Sequence, residues 1–200
     1  MIDDNPYLTL LNNIRENMMR GVMIGLPGHV IAYDDNLQRA VVECGIQRHI
    51  GKGEFKTLPK IAHVPVQFSG TAGWTIFHEL PVGTEGFIHF SQRAVDYWLE
   101  QGGPVQPLDA RMFNASDAFF APGYRSMKTA ISGLPTEGLG MSNARGDVRL
   151  HLRDNSIELT VGGETLSLSA EGLQHNGKNI GATHKHGGVE NGGGETDAPS

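Results

Sequence analysis

The hydrophobic pattern in the last third of the chain repeats every nine residues. Apolar side chains alternate with polar ones in three stretches, and turn residues such as Asp154-Asn155 and Gly162-Gly163 separate the stretches. Alternation of this kind predicts strands, because successive side chains of a strand point to opposite faces. The three apolar sets are Val148, Leu150 and Leu152, then Ile157, Leu159 and Val161, then Leu166, Leu168 and Ala170.

Three short strands without an aromatic residue cannot bury their apolar face alone. One interpretation is a meander that packs on the rest of the chain. The other is self-association, in which several chains wrap their repeats into one shared prism. We favour self-association, because repeat units generally need neighbours to complete their core.

The start of the chain predicts a short amphipathic helix. Asn5 can cap it, Pro6 suits its first turn, and Leu8, Leu11 and Ile14 follow at near-helical spacing. We expect this helix to dock on its own protein or on a partner subunit rather than on a membrane, since its polar face is acidic and rich in amides.

Between Pro27 and Gln92 the pattern becomes typical of strands. Several short strands separated by turn residues predict a small antiparallel barrel of the oligonucleotide/oligosaccharide-binding (OB) type. A helix is predicted after it, at about Ser91–Gln101. The predicted strands centre on Val30–Tyr33, Ala40–Val42, Val64–Phe68, Trp74–His78 and Gly86–Phe90.

Composition narrows the class of protein. The chain has 200 residues, 27 of them glycine, and a formal net charge of −6, which argues against a nucleic-acid binder. A single cysteine, Cys44, excludes an intramolecular disulfide framework and a cysteine-rich zinc site. Every aromatic residue lies at or before Tyr124, so we expect the conventional core there and a domain boundary between residues 110 and 145.

Two histidines follow the repeat, in a polar segment that runs Thr183-His-Lys-His-Gly-Gly188. In an extended chain His184 and His186 point to the same side, and imidazole is the commonest metal ligand among side chains. Three chains around an axis would supply six nitrogens, a set that suits iron or nickel better than tetrahedral structural zinc. In isolation the two histidines would be interpreted as solvated tail residues, and their position after an associating repeat favours a metal site.

Two other functions compete with a structural one. His184, His186 and Glu190 also fit the His-x-His-x-x-x-Glu spacing of a cupin metal site, which would make the chain a metal-dependent enzyme. A cupin needs further strands and another histidine downstream, and only ten residues follow Glu190. The third candidate is an oligomeric module whose barrel binds carbohydrate.

Several motifs, in their order along the chain, resemble the baseplate spike proteins of contractile-tailed phages, the baseplate assembly protein V family. Val64-Pro-Val-Gln-Phe68 and the stretch from Gly83 to Gly103 resemble the family's N-terminal barrel. Ser116-Asp-Ala-Phe119 resembles its connector, and the repeat with Thr183–Gly188 resembles its three-chain β-helix and pointed tip.

This resemblance implies a mainly β homotrimer without catalytic residues, in which an OB-type barrel precedes an intertwined trimeric β-helix. It implies that His184 and His186 of three chains hold one iron ion, Fe²⁺, at the tip. It also implies a place in the virion tail after assembly in the bacterial cytoplasm, contacts with the baseplate hub and tail tube proteins, and mechanical contact with the host outer membrane. The predicted parts are the helix (1–20), barrel (21–110), connector (111–145), β-helix (146–182) and tip (183–200).

Overall fold

The computed structural model describes residues 5–185. The chain divides into two compact units, Met1–Ala130 and Ile131–Ser200. Both units are built mainly from antiparallel strands, and the described residues contain two short helices, which confirms the mainly β class and the short N-terminal helix.

Helix α1 (Pro6–Gly21) begins where the sequence predicts. The side chain of Asn5 accepts a hydrogen bond from the Tyr7 N–H at 3.0 Å, which satisfies one of the backbone donors at the helix start. Pro6 follows at a position where the missing N–H costs nothing. None of the residues of α1 is buried, so its apolar side chains face solvent in the single chain.

Five strands of the first unit form one curled sheet in the order β5-β2-β1-β6-β7, in which all neighbours are antiparallel. One parallel bridge, from Val66 to Phe120, links the two edges of the sheet, so that it curls into a half-barrel. Strands β3 and β4 form a separate hairpin. The elements are β1 (Gly25–Asp34), β2 (Arg39–Cys44), β3 (Arg48–Gly51), β4 (Glu54–Lys56), β5 (Ile61–Pro65), β6 (Glu85–Phe90), α2 (Asp96–Gln101) and β7 (Ala118–Pro122).

The core of this unit lies inside the curl. Residues alternate between half-buried and buried along β2, because Ala40, Val42 and Cys44 fall on the concave face. Val30, Val42, Ile88 and Phe120 are fully buried there. Each such side chain contributes about 1.5–3 kcal/mol through removal of apolar surface from water.

Three boundaries differ from those that the sequence predicts. Strand β7 belongs to the sheet although the barrel was expected to end at residue 110, because Ala118 and Phe120 fill the core. Helix α2 covers only Asp96–Gln101, the second half of the predicted helix. The stretch Trp74–His78 is not a strand, and a single bridge between Gly70 and Thr75 is its only ladder contact in the described structure.

The second unit is a six-stranded meander in the order β13-β12-β11-β10-β9-β8. Each strand turns directly into the next from β9 onward, and Gly162 occupies a turn with φ at 60°, a value that favours glycine. Strand β8 pairs with β9 although the sequence placed it in the connector. The strands are β8 (Leu139–Ser142), β9 (Val148–Arg153), β10 (Ser156–Val161), β11 (Glu164–Ser169), β12 (Gly172–His175) and β13 (Lys178–Asn179).

Within residues 5–185, neither helix combines the length and the apolar character needed to cross a bilayer.

Candidate functional site

One face of the second sheet carries nearly all of its apolar side chains, and we call it the apolar face. The register aligns these side chains in rows that cross the strands. In one row Leu152 lies opposite both Leu139 and Ile157, and Leu168 lies opposite both Ile157 and Leu173. The face consists of Leu139, Met141, Val148, Leu150, Leu152, Ile157, Leu159, Val161, Leu166, Leu168 and Leu173.

The apolar face is open to solvent in the single chain. Leu159, at its centre, is 45% exposed, and Leu139 at the edge is 72% exposed. Along β10 and β11 the polar side chains are the less exposed ones, so burial is reversed relative to an ordinary half-buried sheet. A contiguous apolar surface of this kind marks an interaction site.

The opposite face is polar and includes one buried histidine. The His151 side chain is 3% exposed, and its Nε2 lies 2.8 Å from the Glu137 carbonyl oxygen, to which it donates. The Nδ1 of His151 and the Nε of Arg149 have no hydrogen-bond partner within the described structure. This face therefore fastens residues 134–140 to the sheet.

Of the two predicted tip histidines, His184 lies at the end of the described chain. Its ring nitrogen Nδ1 is 2.9 Å from the Gly181 carbonyl oxygen, to which it donates. In a neutral imidazole with the proton on Nδ1, Nε2 is the nitrogen that binds a metal. His186 lies outside the described residues. Residues 5–185 contain no group of three or more histidine, cysteine or carboxylate side chains that could hold a metal.

Asn179, which the sequence analysis did not single out, orders the turn before His184. Its side chain accepts from the Gly181 N–H at 2.8 Å and donates to the Thr183 hydroxyl at 3.0 Å. The Ile180 N–H donates to the Leu173 carbonyl, which fixes the turn to β12. An Asn two residues before a Gly is the signal of an Asx turn and could have indicated this role.

A buried charge cluster fastens α2 to the barrel, and the sequence analysis missed it as well. The Asp117 side chain is 0% exposed and accepts from Nε and Nη2 of Arg111 at 2.8 and 2.7 Å. Asp117 also accepts from the Val95 N–H at the start of α2. Asp96 and Asp109 contact the same guanidinium, whose pKa rises chiefly because of the hydrogen bond to Asp117.

A second carboxylate holds the segment that leaves the barrel after β7. Glu85 accepts from the N–H of Ser126 at 2.6 Å, from the Ser126 hydroxyl at 3.0 Å and from the Thr129 hydroxyl. The hydrogen bond from the Ser126 N–H is the main reason that the pKa of the Glu85 carboxyl lies below its usual range. The hydrogen bond from the Thr129 hydroxyl lowers this pKa further. We call this contact the Glu85 clamp.

The Glu85 clamp is expected to loosen in acid. Because the folded pKa is lowered, its stabilisation is present above the unfolded pKa of about 4.3 and disappears as the pH falls through the folded value. The Ser126 amide should therefore be protected from hydrogen exchange at neutral pH and lose that protection once the pH has fallen below the lowered pKa of Glu85. Glu85→Gln should reduce the protection at neutral pH and remove its pH dependence.

Protection factors of the Ser126 amide, obtained from hydrogen exchange measured by nuclear magnetic resonance, test this prediction. Glu79→Gln is the matched control, because Glu79 is a nearby exposed carboxylate whose side chain makes no hydrogen bond or ion pair in the described structure. Equal protection of Ser126 at both pH values in the wild type would contradict the clamp.

Two models of known protein families match the chain, one within the first unit and one at the C-terminal segment. Residues 26–123 match the family model of the phage protein Gp138 N-terminal domain. Residues 182–200 match the family model of the GpV Apex motif. Both are phage baseplate spike families. The chain thus carries two segments that match gpV-like baseplate spike families. No curated protein matches it.

These two matches confirm the resemblance that the sequence motifs indicated. The Gp138 module ends one residue after β7, in agreement with the extent of the curled sheet. The spike's Apex segment includes both His184 and His186. Both families consist of structural phage proteins, which is consistent with a non-enzymatic role and with a place in a multimeric baseplate of the virion tail.

Proposed function

We propose that the chain is the central spike of a contractile phage tail baseplate and that tail contraction drives it mechanically through the host outer membrane. In this proposal three copies form a homotrimer, the baseplate hub and tail tube proteins hold it, and one Fe²⁺ ion binds at its tip. The observation that carries the proposal is the apolar face, which the single chain of a spike family leaves open.

The apolar face supports a shared prism. Three faces turned toward a common axis would bury rows such as Leu152, Ile157 and Leu168 and would leave the polar faces in solvent. Edge strands β8 and β13 present unpaired backbone groups in one chain, and pairing between chains would remove those edges. An intertwined β-helix closed in this way would be stiff, as a piercing device requires.

The first unit supports an OB-type barrel. An OB-fold is a five-stranded, partly open barrel, and the curled sheet has five strands. Besides the bridge at Val66, a hydrogen bond of 2.9 Å from the Gln67 N–H to the Phe120 carbonyl connects its edges. In the proposed spike this barrel is the part that the hub holds.

The tip residues fit a shared metal. The tautomer of His184 presents Nε2 as the metal-binding nitrogen, and His186 would supply a second imidazole from each chain. Six imidazole nitrogens form a donor set that suits Fe²⁺. When bound, the ion would hold three chain ends together, because the free energy of metal binding is also free energy of folding.

Replacing His184 and His186 together with alanine is expected to abolish bound iron, because each trimer would lose all six ligands. Elemental analysis combined with native mass measurement checks this, with one iron per three chains expected for the wild type. His49→Ala is the matched control, since it removes an exposed histidine of the β3–β4 hairpin and should leave the iron content unchanged.

Other outcomes separate the competing functions. A wild-type trimer without metal would contradict the iron site but would still agree with the prism. A monomer that holds its own metal would contradict the spike and favour the cupin interpretation. Glycan binding by a monomer would favour the carbohydrate-binding module.

A further inference from the structure

Helix α1 carries a heptad pattern that its own chain does not use. Tyr7, Leu11, Ile14 and Met18 are separated by four, three and four residues. This is the spacing of coiled-coil positions d, a, d and a, which places the four side chains in one seam along the helix. Glu16 and Arg20 form an ion pair at 3.6 Å on the other side of the helix. We call the four residues the α1 seam.

The α1 seam has no partner within the described chain. Its side chains are 47–74% exposed, and no residue of α1 is buried. A heptad seam is shaped to receive knobs from another helix. Among residues 5–185 the other helix is α2, whose six residues are fewer than one heptad. A helix that matches the seam in length and pattern is the α1 of another copy of the chain.

The residue types of the seam favour three or more helices over two. Leucine at a with isoleucine at d shifts coiled coils from dimers toward trimers and tetramers. The central heptad has this combination, with Leu11 at a and Ile14 at d. Leu8 and Leu10 flank the seam at positions e and g and widen its apolar stripe, as an assembly of more than two helices requires.

We propose that the α1 helices of three chains pack through the α1 seam into a parallel three-helix coiled coil ahead of the barrels. This inference rests on the proposed homotrimer, since two heptads are too short to associate alone. Tethering to chains that are already joined through the apolar face raises the effective concentration of the helices to the millimolar range. The bundle is a second interface between chains, in the first unit, and is formed by residues other than those of the prism and the tip.

Cysteine cross-linking of the full chain tests this. Cys44 is buried in the barrel and is the single cysteine, so Cys44→Ala provides a background without thiols. Ile14→Cys places a thiol at a d position of the seam, and Thr9→Cys places one at position f, on the outward side. Mild oxidation should join the Ile14→Cys chains in pairs at least about tenfold faster than the Thr9→Cys chains, because seam residues share an axis.

A second pair of variants tests the helix itself. Leu11→Asp should remove most of the helical signal in circular dichroism, because α1 is too short to be stable without its partners. Asn12→Asp, one residue along and outside the seam, should preserve the signal. Both variants should remain trimers through the apolar face, as native mass measurement would show.

The outcomes distinguish the bundle from the proposed function. A wild-type trimer in which the two cysteine variants cross-link at the same rate would contradict the bundle alone. Retention of the helical signal by Leu11→Asp would contradict it as well. A wild-type chain that is a monomer in solution would contradict the homotrimer and the bundle together.

Discussion

Replacing Arg111 with alanine is expected to lower the free energy of unfolding of the first unit by about 3–5 kcal/mol. The reason is that Asp117, which is 0% exposed beside Arg111, would lose the guanidinium that compensates its charge. The Arg111–Asp117 pair itself contributes much less than this to the free energy of unfolding, because both charged groups lost their hydration when the pair formed. Removal of one partner is costly because the other cannot return to water.

Denaturant unfolding followed by tryptophan fluorescence measures this effect, since Trp98 lies in α2, the helix that the cluster fastens. Arg93→Ala is the matched control, because the exposed Arg93 side chain makes no ion pair in the described structure. The double variant Arg111→Ala with Asp117→Asn should recover part of the loss, as a neutral amide is cheaper to bury than a charge. A loss below about 1 kcal/mol for Arg111→Ala, the range of exposed ion pairs, would contradict a buried cluster.

Leu159→Asp is expected to convert the trimer into monomers. Leu159 lies between Leu150 and Leu166 at the centre of the apolar face, and in the proposed prism its side chain leaves water. Burial of an unpaired carboxylate costs several kcal/mol per chain, so the association constant should fall by a factor of at least about a thousand. The single chain should tolerate the change, because Leu159 is already partly exposed there.

Native mass measurement over a range of protein concentrations gives the result. Thr160→Asp is the control, because Thr160 is the next residue of β10 and points to the polar face. If Leu159→Asp stays a trimer, or if both variants dissociate equally, the apolar face is not the interface.

The strands of the second unit could be predicted from the sequence because their pairing is local. Each hairpin of the meander joins neighbours in the chain, so alternation and turn residues together determine both the strands and the faces they present. The apolar sets that begin at Val148, Ile157 and Leu166 lie on one face, as the nine-residue repeat requires, except that Ala170 falls in the turn after β11.

The first unit was harder to predict because its sheet depends on distant pairing. Strand β7 pairs with β6 across α2 and the Arg111 cluster, and no local pattern indicated that Phe120 completes the core. The stretch Trp74–His78 shows the converse, since it alternates like a strand but has no neighbour to form a ladder with. Hairpin β3–β4 was missed because Arg48-His-Ile50 does not alternate.

At the tip, the sequence indicated His184 and His186 but not what surrounds them. Both histidines lie in the matched Apex segment, and the structure adds the Asn179 turn and the hydrogen bond from Nδ1 of His184 to the Gly181 carbonyl. The proposed metal site has no signal for the number of chains within one sequence, because each copy would supply only part of the ligand set.

The reversed burial of the second sheet has a consequence for the order of folding. The first unit closes its core with residues of one chain, so its folding rate should not depend on protein concentration. In the proposed homotrimer the second sheet would gain its burial only when chains meet, so its completion would be a reaction of higher order that slows on dilution. Newly made chains would thus carry a finished barrel and an unfinished sheet until they collide, and their yield would be limited by encounter rather than by the folding of any single chain.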